Sequence, residues 1–129
     1  MPAVVQTPPR LSDGTPFPTF YYATCPRLTG AVSTLESSGL MAEMNDRLAN
    51  DADLAAAYRK AHEAYLADRN ALGVVVDEVE GISAGGMPDR VKCLHSLVAH
   101  SLSAGPGVNP LGDEALAQLP EWWKNEPCE

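Results

Sequence analysis

The stretch Phe20-Tyr21-Tyr22-Ala23-Thr24-Cys25-Pro26-Arg27-Leu28 decides how the chain is read, because it passes from strand to helix within a few residues. Consecutive aromatics favour an extended, half-buried backbone. Pro26 then suits the first position of a helix, where its missing N–H has no partner to lose, and this leaves Cys25 at the N-cap. Leu28, Val32 and Leu35 recur beyond it at helical spacing.

Upstream, Val4 and Val5 begin another extended stretch. Ser12-Asp13-Gly14-Thr15 lies between the two, and Asp-Gly between apolar runs signals a hairpin. Prolines 8, 9, 16 and 18 cannot donate ladder hydrogen bonds, so these strands are expected to be edge-like or irregular.

Downstream, Ser37-Ser38-Gly39 breaks the helix, and Leu40, Met41, Met44 and Leu48 resume it. Asn50 or Asp51 caps a longer helix to Leu72, with Gly73 as the stop. Its inner face should carry Leu54, Tyr58, Ala61, Tyr65 and Leu72. Asp68 falls on the same stripe and needs a partner, or marks the helix leaving the core. The charges along 51–69, with His62 among them, read as a solvated face. Val74-Val75-Val76 is a short apolar run of either state, and an acidic connector follows it. Pro88 marks another helix start, with Asp89 in the first turn and an expected end near Ser103. Gly105-Pro106-Gly107 closes it, and Asn109-Pro110 opens the next. Trp122-Trp123 reads as a docking tail.

These segments predict an α+β fold, mostly helical, with an N-terminal β-hairpin packed on about four helices. One domain is expected over 1–129: a hairpin region at 1–24, a helical region at 25–118 and a tail at 119–129.

Composition narrows the function classes. The chain has 129 residues, 45% hydrophobic and 20% charged, which is ordinary globular composition. No apolar run approaches the ~20 residues that span a bilayer, and Met1-Pro2-Ala3-Val4-Val5 does not resemble a secretory signal. A cytoplasmic location and no membrane insertion are therefore expected. The net charge of −8 argues against nucleic acid as a partner, since phosphate backbones select basic surfaces. Arg10, Arg27, Arg90 and Lys92 nonetheless lie near the unusual motifs, which leaves room for a local anion pocket. Three cysteines, an odd number, argue against a disulfide framework.

Two features carry candidate chemistry. The turn Gly81-Ile82-Ser83-Ala84-Gly85-Gly86-Met87-Pro88-Asp89-Arg90 lets backbone N–H groups converge ahead of a helix. Gly85, Gly86, Arg90 and Lys92, joined by Arg27, Arg10 and Asn109, form a candidate site for a phosphate or carboxylate. Neither a Gly-x4-Gly-Lys-Ser/Thr phosphate loop nor a Gly-x-Ser-x-Gly nucleophile turn is read in the chain, and Asp89 opposes an anion there. The second feature is the set of possible metal ligands Cys25, Cys93, His95 and His100. Cys25 at a helix N-terminus has reason to ionise. On a regular helix from Pro88, Val91, Leu94, Leu97, Val98 and Leu102 form the apolar stripe. Cys93 and His100 lie on one shoulder, about 10 Å apart along the axis, and His95 lies on the other. Helix geometry thus separates Cys93 from both histidines, and a metal would need Cys25, other segments or an irregular helix start.

The stretches 15–28, 81–95 and Gly107-Val108-Asn109-Pro110-Leu111-Gly112 resemble the bacterial domain of unknown function 501 family in its actinobacterial form. The resemblance covers essentially the whole chain and implies no established activity. It implies an association with cell division or polyphosphate-related physiology, through genes often encoded alongside. Actinobacterial relatives carry an N-terminal segment ending in Cys-Pro-Cys-Gly, which is absent ahead of Pro2-Ala3-Val4-Val5 here. In that longer form the resemblance implies zinc or an iron–sulfur group, and none is expected in this chain by itself.

Two readings follow. The first is a non-catalytic binding or regulatory module with a protein partner, which predicts an exposed apolar patch and no converging polar cleft. The second is a small anion-binding or metal-dependent enzyme using the Gly85-Gly86 turn with Arg90, Lys92, Cys93 and His95, and a phosphate-containing small molecule as ligand.

Overall fold

A computed structural model describes residues 3–7, 19–71 and 81–120. The turn at Ser12–Thr15, Arg10, the expected helix stop at Leu72-Gly73, Val74–Val76 and the tail with Trp122-Trp123 lie outside the described residues.

The α+β expectation holds. Strands β1 (Val4–Gln6) and β2 (Tyr21–Ala23) pair antiparallel, with Val5 opposite Tyr22. Five helices follow among the described residues: α1 (Pro26–Glu36), α2 (Leu40–Asn50), α3 (Ala52–Asn70), α4 (Leu94–Ala104) and α5 (Pro110–Ala117). The ribbon lies against α4, and α5 packs along the same helix.

Local chemistry accounts for most boundaries. Cys25 is the extended N-cap of α1, with Pro26 at the first helical position. The Asp51 carboxylate accepts the Leu54 N–H at the start of α3, and the Asn109 amide accepts that of Gly112 at the start of α5. Such caps are each worth ~1 kcal/mol. A Cβ at Gly112 would overlap the Leu97 carbonyl and the Ser101 hydroxyl, so α4 and α5 approach as closely as they do because this residue has no side chain.

The core is built around aromatic side chains. Tyr58, Tyr65, Leu28, Leu94, Leu97 and Leu111 are fully buried. The Tyr65 hydroxyl accepts the backbone N–H groups of Phe20 (2.5 Å) and Tyr21 (3.0 Å), tying α3 to the start of β2. The Tyr21 hydroxyl donates to Asp68 at 2.8 Å, which supplies that stripe carboxylate with its partner. Burial first, and the Asp68 contact second, push the Tyr21 hydroxyl up to about 12.

Three expectations need correction. No helix starts at Pro88. Residues 84–92 form turns in which the Gly86 carbonyl accepts from Asp89 and Arg90, and the Gly85 carbonyl accepts from Lys92 at 2.7 Å. Asn45 holds Val91 by both its N–H and its carbonyl, and Tyr58 donates to the Arg90 carbonyl. These bonds occupy the backbone groups that a helix would use, so α4 begins at Leu94. Leu102, expected on the apolar stripe of this helix, is 36% exposed. Finally, α3 is not solvated along its whole charged face. His62 and Arg69 are buried beneath residues 82–83, with His62 Nδ1 2.7 Å from the Ser83 hydroxyl and Arg69 donating to the Ile82 carbonyl.

No helix among the described residues is long and apolar enough to cross a membrane.

Candidate functional site

Two cavities share a wall where the turn at 84–92 meets α4. The larger, about 780 Å³, is lined by Tyr21, Tyr22, Thr24 and Thr29 together with Cys93 and His95. The smaller, about 540 Å³, is lined by Ser83, Gly85, Gly86, Asp89, Arg90 and Lys92. Thr19, Cys93 and Ser96 line both, so Cys93 stands at the junction.

The irregular helix start brings Cys93 and His95 together. Cys93 is the extended N-cap of α4 and not a residue of the helix, and its Sγ lies 3.9 Å from His95 Nδ1. The expected separation on opposite shoulders is therefore wrong for this pair. Glu36, the last residue of α1, completes the group. Its Oε2 accepts the Leu94 N–H at 2.8 Å and lies 3.2 Å from His95 Nδ1. A carboxylate capping the N-terminus of α4 is favoured by the helix dipole and by the unpaired N–H groups there. The three donor atoms all lie within 4.8 Å of one another, and all three residues are half-buried. The other ring nitrogen of His95, Nε2, faces the Thr29 carbonyl at 3.1 Å and the Ser33 hydroxyl at 3.2 Å.

The remaining metal candidates lie elsewhere. His100 is fully buried against Tyr21 and Tyr65, and its Nδ1 is 3.2 Å from the Asn109 amide nitrogen. Desolvation lowers its proton affinity. Cys25 is fully buried and disulfide-bonded, so it does not offer the expected thiolate. Cys93 is the free cysteine among the described residues.

Of the anion-site candidates, Gly85, Gly86, Arg90 and Lys92 share the smaller cavity. Asn109 does not line it. Asn109 is wholly buried beneath the turn, touching Met87 through its amide. Arg27 lies in α1 and lines neither cavity, and Arg10 is outside the described residues. The glycines have a packing reason as well. Both adopt positive φ (67° and 92°), and a Cβ on Gly85 would overlap Leu97. Arg90 and Lys92 are exposed, and neither side chain has a hydrogen bond or ion pair among the described residues.

Two groups escaped the sequence reading. Glu36 carried no local signal, being far from Cys93 along the chain. Ser83 had one, because Gly81-Ile82-Ser83-Ala84-Gly85 has the Gly-x-Ser-x-Gly spacing of a nucleophile turn. The structure departs from that motif. No helix starts directly after the serine, no residue other than glycine has positive φ among the described residues, and Ser83 is 1% exposed while bonded to His62. The pair buttresses the turn from below. Burial is the main cause lowering the proton affinity of His62, with Arg59 adding to it.

No curated protein and no solved structure matches this chain. Residues 1–117 match the family described as "Protein of unknown function (DUF501)". That match spans nearly the whole sequence and includes both cavities, the turn and the Glu36–Cys93–His95 group, so the chain belongs to the DUF501 family.

Proposed function

We propose that this protein binds a small phosphate-bearing molecule in the cleft formed by the two cavities, with the reacting end of that molecule against Cys93 and His95. The observation that carries the reading is the pair Arg90 and Lys92, two cations without partners among the described residues, on a chain of net charge −8. They border the smaller cavity, and the thiol and imidazole face the larger one. Two adjacent cations suit a dianionic group better than a single carboxylate, and Asp89 on the same wall disfavours bulkier polyanions. The alternative of a non-catalytic module with a protein partner fits less well, because it expects no converging polar cleft.

Titration with inorganic phosphate, followed by amide NMR shifts, tests the proposal. Shifts should concentrate at residues 84–93, and the double variant Arg90→Ala, Lys92→Ala should weaken binding roughly tenfold or more, since a charge-assisted hydrogen bond is worth about 1.5–3 kcal/mol. Shifts scattered over the surface, or unchanged binding by the double variant, would overturn it. Acetate run in parallel distinguishes a carboxylate site.

A further inference from the structure

We propose that Glu36, Cys93 and His95 bind one divalent transition-metal ion, with zinc the best chemical fit, at the junction of α1 and α4. The argument starts from His95. The Thr29 carbonyl, 3.1 Å from Nε2, can only accept a hydrogen bond, so Nε2 carries the hydrogen. In the neutral ring Nδ1 is then a bare lone pair. It faces Glu36 Oε2 at 3.2 Å, which is also an acceptor. Two acceptors at that distance call for a cation between them. A proton would serve for this pair alone, but Cys93 Sγ lies beside the same nitrogen at 3.9 Å and adds a third donor of the type that zinc selects.

The dimensions agree. With bonds of roughly 2.0–2.3 Å, ligand atoms around a tetrahedral ion stand about 3.3–3.8 Å apart. The donor atoms here, separated by 3.2 and 3.9 Å about His95 and by no more than 4.8 Å overall, need a shift of an ångström or less.

Each ligand also has its own support. The Leu94 N–H holds Glu36, the Thr29 carbonyl fixes the His95 tautomer, and the Ser96 hydroxyl donates toward Cys93 Sγ at 3.9 Å. Such outer contacts are typical around metal ligands, where they set tautomer and orientation. Cys93 and His95 line the larger cavity, so a fourth position opens onto the cleft. Three protein ligands and an open position are the arrangement of zinc sites that polarise a substrate oxygen.

The inference concerns the same cleft as the proposed function but does not depend on a phosphate ligand, and its test uses the metal alone. Tag-free, reduced full-length chain is loaded with Co²⁺ or Zn²⁺ and examined by native mass spectrometry and electronic absorption. The expected result is one ion per chain and a thiolate-to-cobalt charge-transfer band. Cys93→Ser should abolish the band. His95→Ala should weaken binding by more than the roughly 10–100-fold that loss of a supporting contact costs. Glu36→Gln keeps an oxygen for the Leu94 N–H, so its loss of affinity reports the carboxylate and not the helix cap. Circular dichroism of each metal-free variant checks that it folds. Absence of the band in the wild-type chain, or metal binding indifferent to Cys93→Ser and His95→Ala, would overturn the site. If phosphate still shifts residues 84–93 in that case, the cleft reading stands without the metal.

Discussion

His95 and His100 sit on one helix, five residues apart, and both rings are held in the same tautomer. For His95 the Thr29 carbonyl requires the hydrogen on Nε2. For His100 the Asn109 amide decides it. The amide oxygen accepts from Gly112, which turns the NH₂ toward His100 Nδ1 and makes that nitrogen the acceptor. What differs is the group that faces the bare Nδ1. At Nδ1 His100 meets a donor, inside a wall of Tyr21 and Tyr65, while its Nε2 is buried with no partner among the described residues. His95 meets a carboxylate and a thiol and is incomplete. One ring is a packing element that cannot charge cheaply, and the other is the proposed metal ligand. The residue type is the same in both places, so the chemistry is set by neighbours that come from α1 and α5 and not by α4 itself.

The largest test of this contrast acts on the packed side. Tyr65→Phe should cost about 2–6 kcal/mol in urea denaturation, because it strands the buried N–H groups of Phe20 and Tyr21 at ~1–3 kcal/mol each. The wall beside His100 is then loosened while the Glu36–Cys93–His95 group is left untouched. Wild-type stability in this variant would mean that the hydroxyl is not holding β2 onto α3.

A smaller effect separates the histidines by pH. His100 and His62 both have proton affinities lowered mainly by burial, from an ordinary value of 6.5. Below that value the unfolded chain binds protons that the folded chain refuses. Their contribution to stability is therefore flat above pH 6.5 and falls as pH drops from there toward the lowered folded values. The slope is at most about 1.4 kcal/mol per pH unit for each residue. His100→Gln should flatten the decline between pH 6.5 and 5, and adding His62→Gln should flatten it further. Parallel slopes for wild type and the double variant would show that neither ring is held neutral.

The sequence made legible what is decided within a few residues. Cys25-Pro26, Asp51 and Asn109-Pro110 open helices as read, because a cap needs only its own next turn. The start of α4 was not legible. Its true position depends on Asn45 and Tyr58, which bind residues 90 and 91 from two other helices, and no local pattern records those bonds. That one shift moved Cys93 off the helix and beside His95. The grouping of Gly85, Gly86, Arg90 and Lys92 around one cavity was visible because these residues are nearly continuous in the chain. Glu36 was not, since on its own helix it looks like any terminal acid. His62 and Arg69 were misread for a related reason: a helical wheel shows which face is charged and says nothing about the loop that covers it.

The smallest expected effect is the most discriminating. His95→Gln in the metal-free protein should change stability by less than about 1 kcal/mol. The ring is 29% exposed, and half-solvated contacts of that kind rarely contribute more. Glu36 keeps its bond to the Leu94 N–H whether or not the imidazole is present, so the start of α4 survives. The equivalent change at His100 removes a ring wedged between two tyrosines and an amide, where a buried substitution costs ~0.5–3 kcal/mol. Thermal melts of His95→Gln and His100→Gln, each run with and without Zn²⁺, therefore sort the two roles. A ligand that contributes little to the fold should lose the stabilisation by zinc and almost nothing else, whereas a core residue should lose stability and keep the zinc response. A His95 variant that melts as early as the His100 variant without metal would make His95 a packing residue and remove the distinction between the two ends of α4.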